Sequence, residues 1–318
     1  MKSGPSVSPD AKIVAGCEAP RDWGSCTVNT GVAPEWENPR VPVSTLYSIS
    51  IPLVNFLEGY AGRAVLLGQF ARAVNVGIEN RVVALVLPAV GNGPFHLVVD
   101  ALPDYPLPRE LPVSWERAQL RLGSWRVRLT EAALPWEPRV PWEQLRLDGT
   151  ALRCLRASVE SAMCARGAWQ ESAVFPGRLA DARRLLSTLE AAYARGADDE
   201  ALVAAAAALA GWGPGLTPAG DDFLAGLLLA LWAQRGEVAR PLCAAIAAVA
   251  IPRTTRLSGA FLQAAAEGLA DQRWHVLLQA LTGASDAAIK AAAQAVLAFG
   301  ATSGLAMLAG FLRGMGNG

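Results

Sequence analysis

The chain has 318 residues, 52% of them apolar, which allows one large domain or two ordinary ones around a sizeable core. Its 28 basic and 28 acidic side chains cancel, so the formal net charge is zero. No global field draws it to nucleic acid or to an anionic membrane, and neither is expected as a partner.

Residues 1–45 are rich in Pro, Gly, Ser and Asn without periodicity, and read as a flexible or surface-wrapped extension. From 46 to 150 the pattern predicts a β-rich domain. RVVALVLP (81–88) and FHLVVD (95–100) are short apolar runs with β-branched residues. QLRLGSWRVRL (119–129) alternates around Gly123-Ser124, the signature of a hairpin with a type II′ turn. The Pro- and Trp-rich PWEPRVPWEQL that follows fits loops and edges.

From 151 to 318 alanine and leucine dominate, and helix punctuation repeats. A helix is expected from about Arg178 to Arg195. The next opens at Asp198 or Asp199 and ends at Gly211. Another runs from Asp221 to Arg235 and stops at Gly236. Thr254-Thr255 opens one that ends near Gly268, Ser285 caps one that ends at Gly300, and Thr302-Ser303 opens the last. The apolar stretch 291–312 has the length of a membrane span, but GATSG interrupts it, so two buried helices meeting at a turn are expected instead. The fold class is α+β, with a β-rich N-terminal part followed by an Ala/Leu-rich helical cluster that carries the candidate site.

Polar groups stand at helix starts inside this apolar sequence in three places. In GWGPGLTPAGDD (211–222), Gly211, Gly213, Gly215 and Gly220 let the backbone approach a ligand, and Thr217-Pro218 reads as N-cap and first helical residue. Asp221 and Asp222 follow as candidate catalytic groups; as helix-start acids alone, either could be neutralised at a cost of about 1 kcal/mol or less. In the second segment, Arg253, Thr254, Thr255, Arg256 and Ser258 offer guanidinium, hydroxyl and amide donors suited to a phosphate or carboxylate. In the third, Thr302 and Ser303 stand before Gly304, a glycine in a first helical turn that implies close packing or a ligand. Together these residues predict a site for a small anionic substrate, the three segments meeting at one cleft. An ordinary cap or dipole-complementing acid accounts for some of them singly.

Other candidates carry less. His96, in a strand, and His275, beside Trp274 in a helix, are the only histidines and read as core or surface residues. No Ser–His–Asp order, His-rich cluster or P-loop lysine occurs. Cys17, Cys26, Cys154, Cys164 and Cys243 form no CxxC pair, which fits a reducing compartment. The first twenty residues hold no apolar run of the signal-peptide kind, so a cytoplasmic location is expected. No cofactor is firmly implied; Mg²⁺ on the Asp pair is the one to test, although hard cations usually need more oxygen ligands than two.

With these segments in hand, the sequence resembles the AllH family, a subunit type of oxamate carbamoyltransferase formerly filed as a domain of unknown function. The likeness is carried by GxGxGLTPxGDDFLxG (211–226), TTxxS (254–258), TSG (302–304) and the glycine-led stretch 62–75 that ends in FxRAVN. It covers roughly residues 55–315. It implies transfer of a carbamoyl group between oxalurate and phosphate, giving oxamate and carbamoyl phosphate, in allantoin and purine catabolism. It also implies FdrA-like and other carbamoyltransferase subunits as partners, without saying which subunit carries the chemistry. Two alternatives stand beside it: a non-catalytic assembly subunit, and a metal-dependent hydrolase using Asp221 and Asp222 with Thr255 or Ser258.

Overall fold

The computed structural model describes residues 43–116, 119–165 and 199–316, together with the single positions 184, 187, 188 and 191. The expected N-terminal extension up to residue 42 lies outside the described residues. So, apart from those four positions, does the helix expected over Arg178 to Arg195.

Among the described residues eight strands form the N-terminal part: β1 (Val43–Ser50), β2 (Ala61–Phe70), β3 (Ala73–Ile78), β4 (Arg81–Val86), β5 (His96–Val99), β6 (Glu110–Glu116), β7 (Gln119–Leu122) and β8 (Trp125–Trp136). A short helix, α1 (Ile51–Leu57), joins β1 to β2. The strands close into a barrel in the order β1-β5-β4-β3-β2-β6-β7-β8. The β1–β8 and β4–β5 pairs are parallel and the rest antiparallel. Closure removes the exposed strand edges that an open sheet must protect. At the closing seam the buried Trp125 indole donates to Ser44 Oγ (2.9 Å), which donates in turn to the Ala101 carbonyl (2.8 Å). The β7–β8 turn is as the sequence predicts: Leu122 pairs with Trp125, and Gly123 takes φ 61°.

β4 and β5 are buried on both faces, because helices cover the outside of the barrel there. β6 keeps alternating exposed and buried residues where its outer face meets solvent.

Eight described helices follow: α2 (Gly149–Ala165), α3 (Asp199–Leu209), α4 (Ala219–Arg235), α5 (Arg240–Ala250), α6 (Arg256–Ala266), α7 (Gln272–Ala280), α8 (Asp286–Leu297) and α9 (Ser303–Gly314). Among the described residues no helix is long and apolar enough to cross a membrane. The 291–312 stretch is indeed two helices, α8 and α9, separated by the turn at Gly300. α4 is the centre of the helical part, buried from Ala219 to Trp232. α9 lies beside it in the same direction: Thr217 meets Ser303, Phe223 meets Gly310 and Ala230 meets Gly314. A methyl group at Gly226 or Gly310 would overlap a carbonyl oxygen of the other helix, so these glycines allow the two backbones to touch. The barrel and the helices belong to one unit, Val41–Gly318. α6 joins them, sending Leu257 into the barrel-side core and Phe261 against Phe95 (4.8 Å) and Phe299 (5.8 Å).

Candidate functional site

The loop between α3 and α4 carries the first polar segment. Gly211 and Gly220 allow protein backbone to approach closely: a side chain there would overlap the carbonyl oxygens of Arg253 and Leu209 respectively. Gly213 turns with φ 116° against the start of α4. Gly215 differs, since it has φ 100°, open space beside it and a place in the wall of a cleft. Thr217 is not the N-cap that the sequence reading expects. Pro218 takes that position, and its carbonyl accepts the amides of Asp221 (3.0 Å) and Asp222 (3.1 Å). One residue too early to cap, the Thr217 hydroxyl pairs with Ser303 Oγ at 3.0 Å.

Asp221 is 1% exposed and fully engaged. Its Oδ1 accepts from the Gly211 amide (2.7 Å), and its Oδ2 accepts from the hydroxyls of Thr254 and Ser258, the latter at 2.9 Å. Thr255 caps α6 as expected, accepting the Ser258 amide (3.1 Å), while its hydroxyl donates to the Leu216 carbonyl (2.5 Å). The first two segments are therefore tied together, with Asp221 as the knot. An exposed dipole-complementing acid is thus the wrong description of Asp221, and both its oxygens face protein donors.

Asp222, the next residue, is 4% exposed, and its Oδ2 has no hydrogen-bond partner among the described residues. Burial pushes its pKa up to about 7; the neighbouring Asp221 charge adds to the rise, and the hydroxyls of Ser303 and Thr217 oppose it. Ser303 opens α9 and Thr302 occupies its N-cap position without a side-chain cap bond. The third segment thus joins the first through Thr217 and Ser303. Two helix starts, with their positive dipole ends, stand side by side around one buried carboxyl group, although the amides of Gly220, Asp221, Asp222 and Gly304 are already bonded to protein carbonyls.

Gly215, Thr217, Thr302 and Ser303 line a cleft of about 1010 Å³ between the helices and the barrel. Its barrel side comes from the β2–β3 turn, with Phe70 and Arg72, and from residues 88–91. Arg273 also lines it but is occupied, ion-paired to Asp271 (2.9 Å) and stacked over Phe299 (4.5 Å). The segment 253–256 points elsewhere. The exposed Arg253 donates to the Val249 carbonyl, and Arg256 donates to the carbonyls of Glu79 and Arg81 across the space left by Gly77. Thr255 and Arg256 border a separate cavity of about 510 Å³.

Among the described residues no group of three or more His, Cys, Asp and Glu comes together as a metal ligand set. His96 is 5% exposed in β5, its Nδ1 3.0 Å from the Gly91 carbonyl, and burial lowers its pKa. His275 Nε2 lies 3.1 Å from the Pro138 carbonyl. Both are core or packing residues.

Sequence reasoning missed Arg72 and Arg273. Arg72 stands inside the FxRAVN stretch, but only the tertiary placement of its hairpin brings it to the cleft. No curated protein and no solved structure matches the chain. The segment that holds all three polar motifs, residues 209–315, matches the model of the AllH family, described as oxamate carbamoyltransferase subunit AllH.

Proposed function

We propose that the chain is an AllH-like subunit of an oxamate carbamoyltransferase, working with FdrA-like and other subunits, and that its cleft binds the small anions of that reaction. The observation that carries this reading is the buried Asp222 carboxyl oxygen without a partner among the described residues, set at two adjoining helix starts. Its neighbours Thr217 and Ser303 line the cleft. Their hydroxyls and the positive ends of the two helices suit phosphate and a developing oxyanion.

In the direction from oxalurate, a phosphate oxygen bonds to the terminal carbamoyl carbon. The bond from that carbon to the central nitrogen breaks, and the nitrogen gains a proton to leave as the amide of oxamate. Hydrogen phosphate loses the one proton that the nitrogen gains. A group with a pKa of about 7 serves both ends, and Asp222, which is buried behind the cleft wall, takes the proton from the nucleophile and returns it to the leaving nitrogen through the Thr217 and Ser303 hydroxyls that line the cleft. Thr217 and Ser303 hold its carboxyl and face the oxyanion. The test is phosphate-dependent cleavage of oxalurate by the complex assembled with its partner subunits. Asp222→Asn lowers kcat by about 10²- to 10⁴-fold, the range of general acid–base catalysis, with circular dichroism and assembly unchanged. Wild-type turnover in that variant rejects the role.

An assembly subunit is the second reading. Phe70, Leu216 and Val276, 49%, 41% and 53% exposed, all border the cleft and favour a partner seated over its mouth. On that reading Asp222→Asn turns over normally, while serine at these three positions abolishes co-purification.

A further inference from the structure

The barrel contributes to the cleft wall an exposed cation, Arg72. Arg72 sits in the two-residue turn between Phe70 and Ala73, a paired position at the end of β2 and β3. Its carbonyl accepts the Leu87 amide (3.1 Å), which fixes the turn against the strand exit that also borders the cleft. Its guanidinium has no hydrogen bond or ion pair among the described residues, whereas Arg273, Arg253 and Arg256 all have protein acceptors. A planar fork of donors held on a rigid hairpin is suited to bidentate capture of a carboxylate. The cleft volume of about 1010 Å³ is at the upper end for a single ligand site, so a short molecule held at the helix starts leaves room for a second anionic group on the barrel side.

We infer that Arg72 is a specificity-determining residue that takes the terminal carboxylate of a small two-ended ligand, an α-oxo carboxylate bearing an amide or ureido group, whose other end lies at the helix starts beside Asp222. This rests on the proposed reading of the cleft as an anion site and adds the end of the ligand that the polar helix starts do not explain. It also separates the two reactants: inorganic phosphate needs the helix starts alone, while oxalurate and oxamate need both walls.

The experiment is calorimetric titration of the complex with oxalurate, oxamate and inorganic phosphate, for the wild type, Arg72→Gln, Arg72→Lys and Ser303→Ala. Arg72→Gln weakens oxalurate and oxamate by about 10- to 100-fold, as expected for the loss of a charge-assisted bidentate contact, and leaves phosphate within about twofold. Arg72→Lys falls between, because a point charge keeps the attraction and loses the fork. Unchanged binding of both carboxylates in Arg72→Gln overturns the inference, and so does an equal loss for phosphate, which marks Arg72 as a general charge and not a reader of carboxylate. Ser303→Ala reports on the underlying reading. If it loses phosphate while Arg72→Gln has no effect, the cleft binds anions and only the role of Arg72 fails. If the wild-type complex binds none of the three ligands, both fail.

Discussion

Asp221 and Asp222 are consecutive in the first turn of α4, and a step of about 100° around the helix sends them to different neighbours. Asp221 meets three donors and Asp222 meets two hydroxyls and another carboxylate, so the same residue type becomes a knot in one place and a strained acid in the next. Their stability signatures are therefore opposite. The Asp222 pKa rises from 3.8 to about 7 on folding, so between those limits the folded chain holds a proton that the unfolded chain has released. Its contribution is most favourable below about pH 4, declines as pH rises to about 7, and is constant above; the whole span is worth roughly 4 kcal/mol. Asp222→Asn mimics the protonated form, so its urea midpoint lies above that of the wild type at pH 8 and close to it at pH 4. Asp221→Asn presents an amide to three donors that want an acceptor, and lowers stability by about 2–4 kcal/mol at pH 7. Parallel pH profiles for wild type and Asp222→Asn, or an unaffected Asp221→Asn, would contradict this division. The sequence made the pair conspicuous, but which of the two is satisfied depends on where Thr254 and Ser258 arrive, and that is a tertiary fact.

Helix punctuation was legible because caps are local. Thr255, Ser285, Gly236, Gly268 and Gly300 stand where their hydrogen bonds or positive φ require. The exception is Thr217, displaced from the cap by Pro218, whose fixed φ and available carbonyl serve the first amides of α4 equally well. Gly304 was legible as an oddity, and close packing resolves it: a side chain there would overlap the Val296 carbonyl. The barrel was legible only as strands. Alternation gives each strand its faces, but the parallel seam of Val43 with Arg126 joins positions far apart in sequence, and no local pattern encodes it. The contact of α4 with α9 was equally hidden, since Gly226 and Gly310 lie in separate helices and no local pattern marks them as partners. Gly310→Ala pushes a methyl group into the Phe223 carbonyl, and the helices must separate. The expected loss is about 1–3 kcal/mol by thermal unfolding. Because the Thr217–Ser303 pair depends on the same contact, anion affinity falls with stability. An alanine variant as stable as the wild type would show that these backbones do not touch.

At the scale of the molecule, the cleft exists because a barrel and a helical cluster are held at one fixed spacing, and Arg256 is a fastener of that joint. It leaves the first residue of α6, crosses the gap opened by Gly77 and donates to the carbonyls at Glu79 and Arg81, next to the β3–β4 turn. From sequence alone Arg253 and Arg256 were candidates for gripping an anion, because guanidiniums beside a helix start look the same whether they face a ligand or a neighbouring domain. Geometry separates the cases: Arg256 borders the smaller cavity, and neither arginine lines the larger cleft that Thr217 and Ser303 share with Arg72. Arg256→Ala removes the donors from two carbonyls at the joint and leaves space beneath Gly77, so stability falls by about 1–3 kcal/mol. The folded fraction still presents the helix starts and Arg72 to solvent, and its affinity for oxalurate or phosphate stays within about twofold of the wild type. Urea unfolding and calorimetry on Arg253→Ala, Arg256→Ala and the double variant measure the two quantities independently. A double variant with wild-type stability and lost anion binding would return the arginines to the ligand; lost stability with retained binding makes Arg256 the fastener that keeps the two walls of the cleft in register.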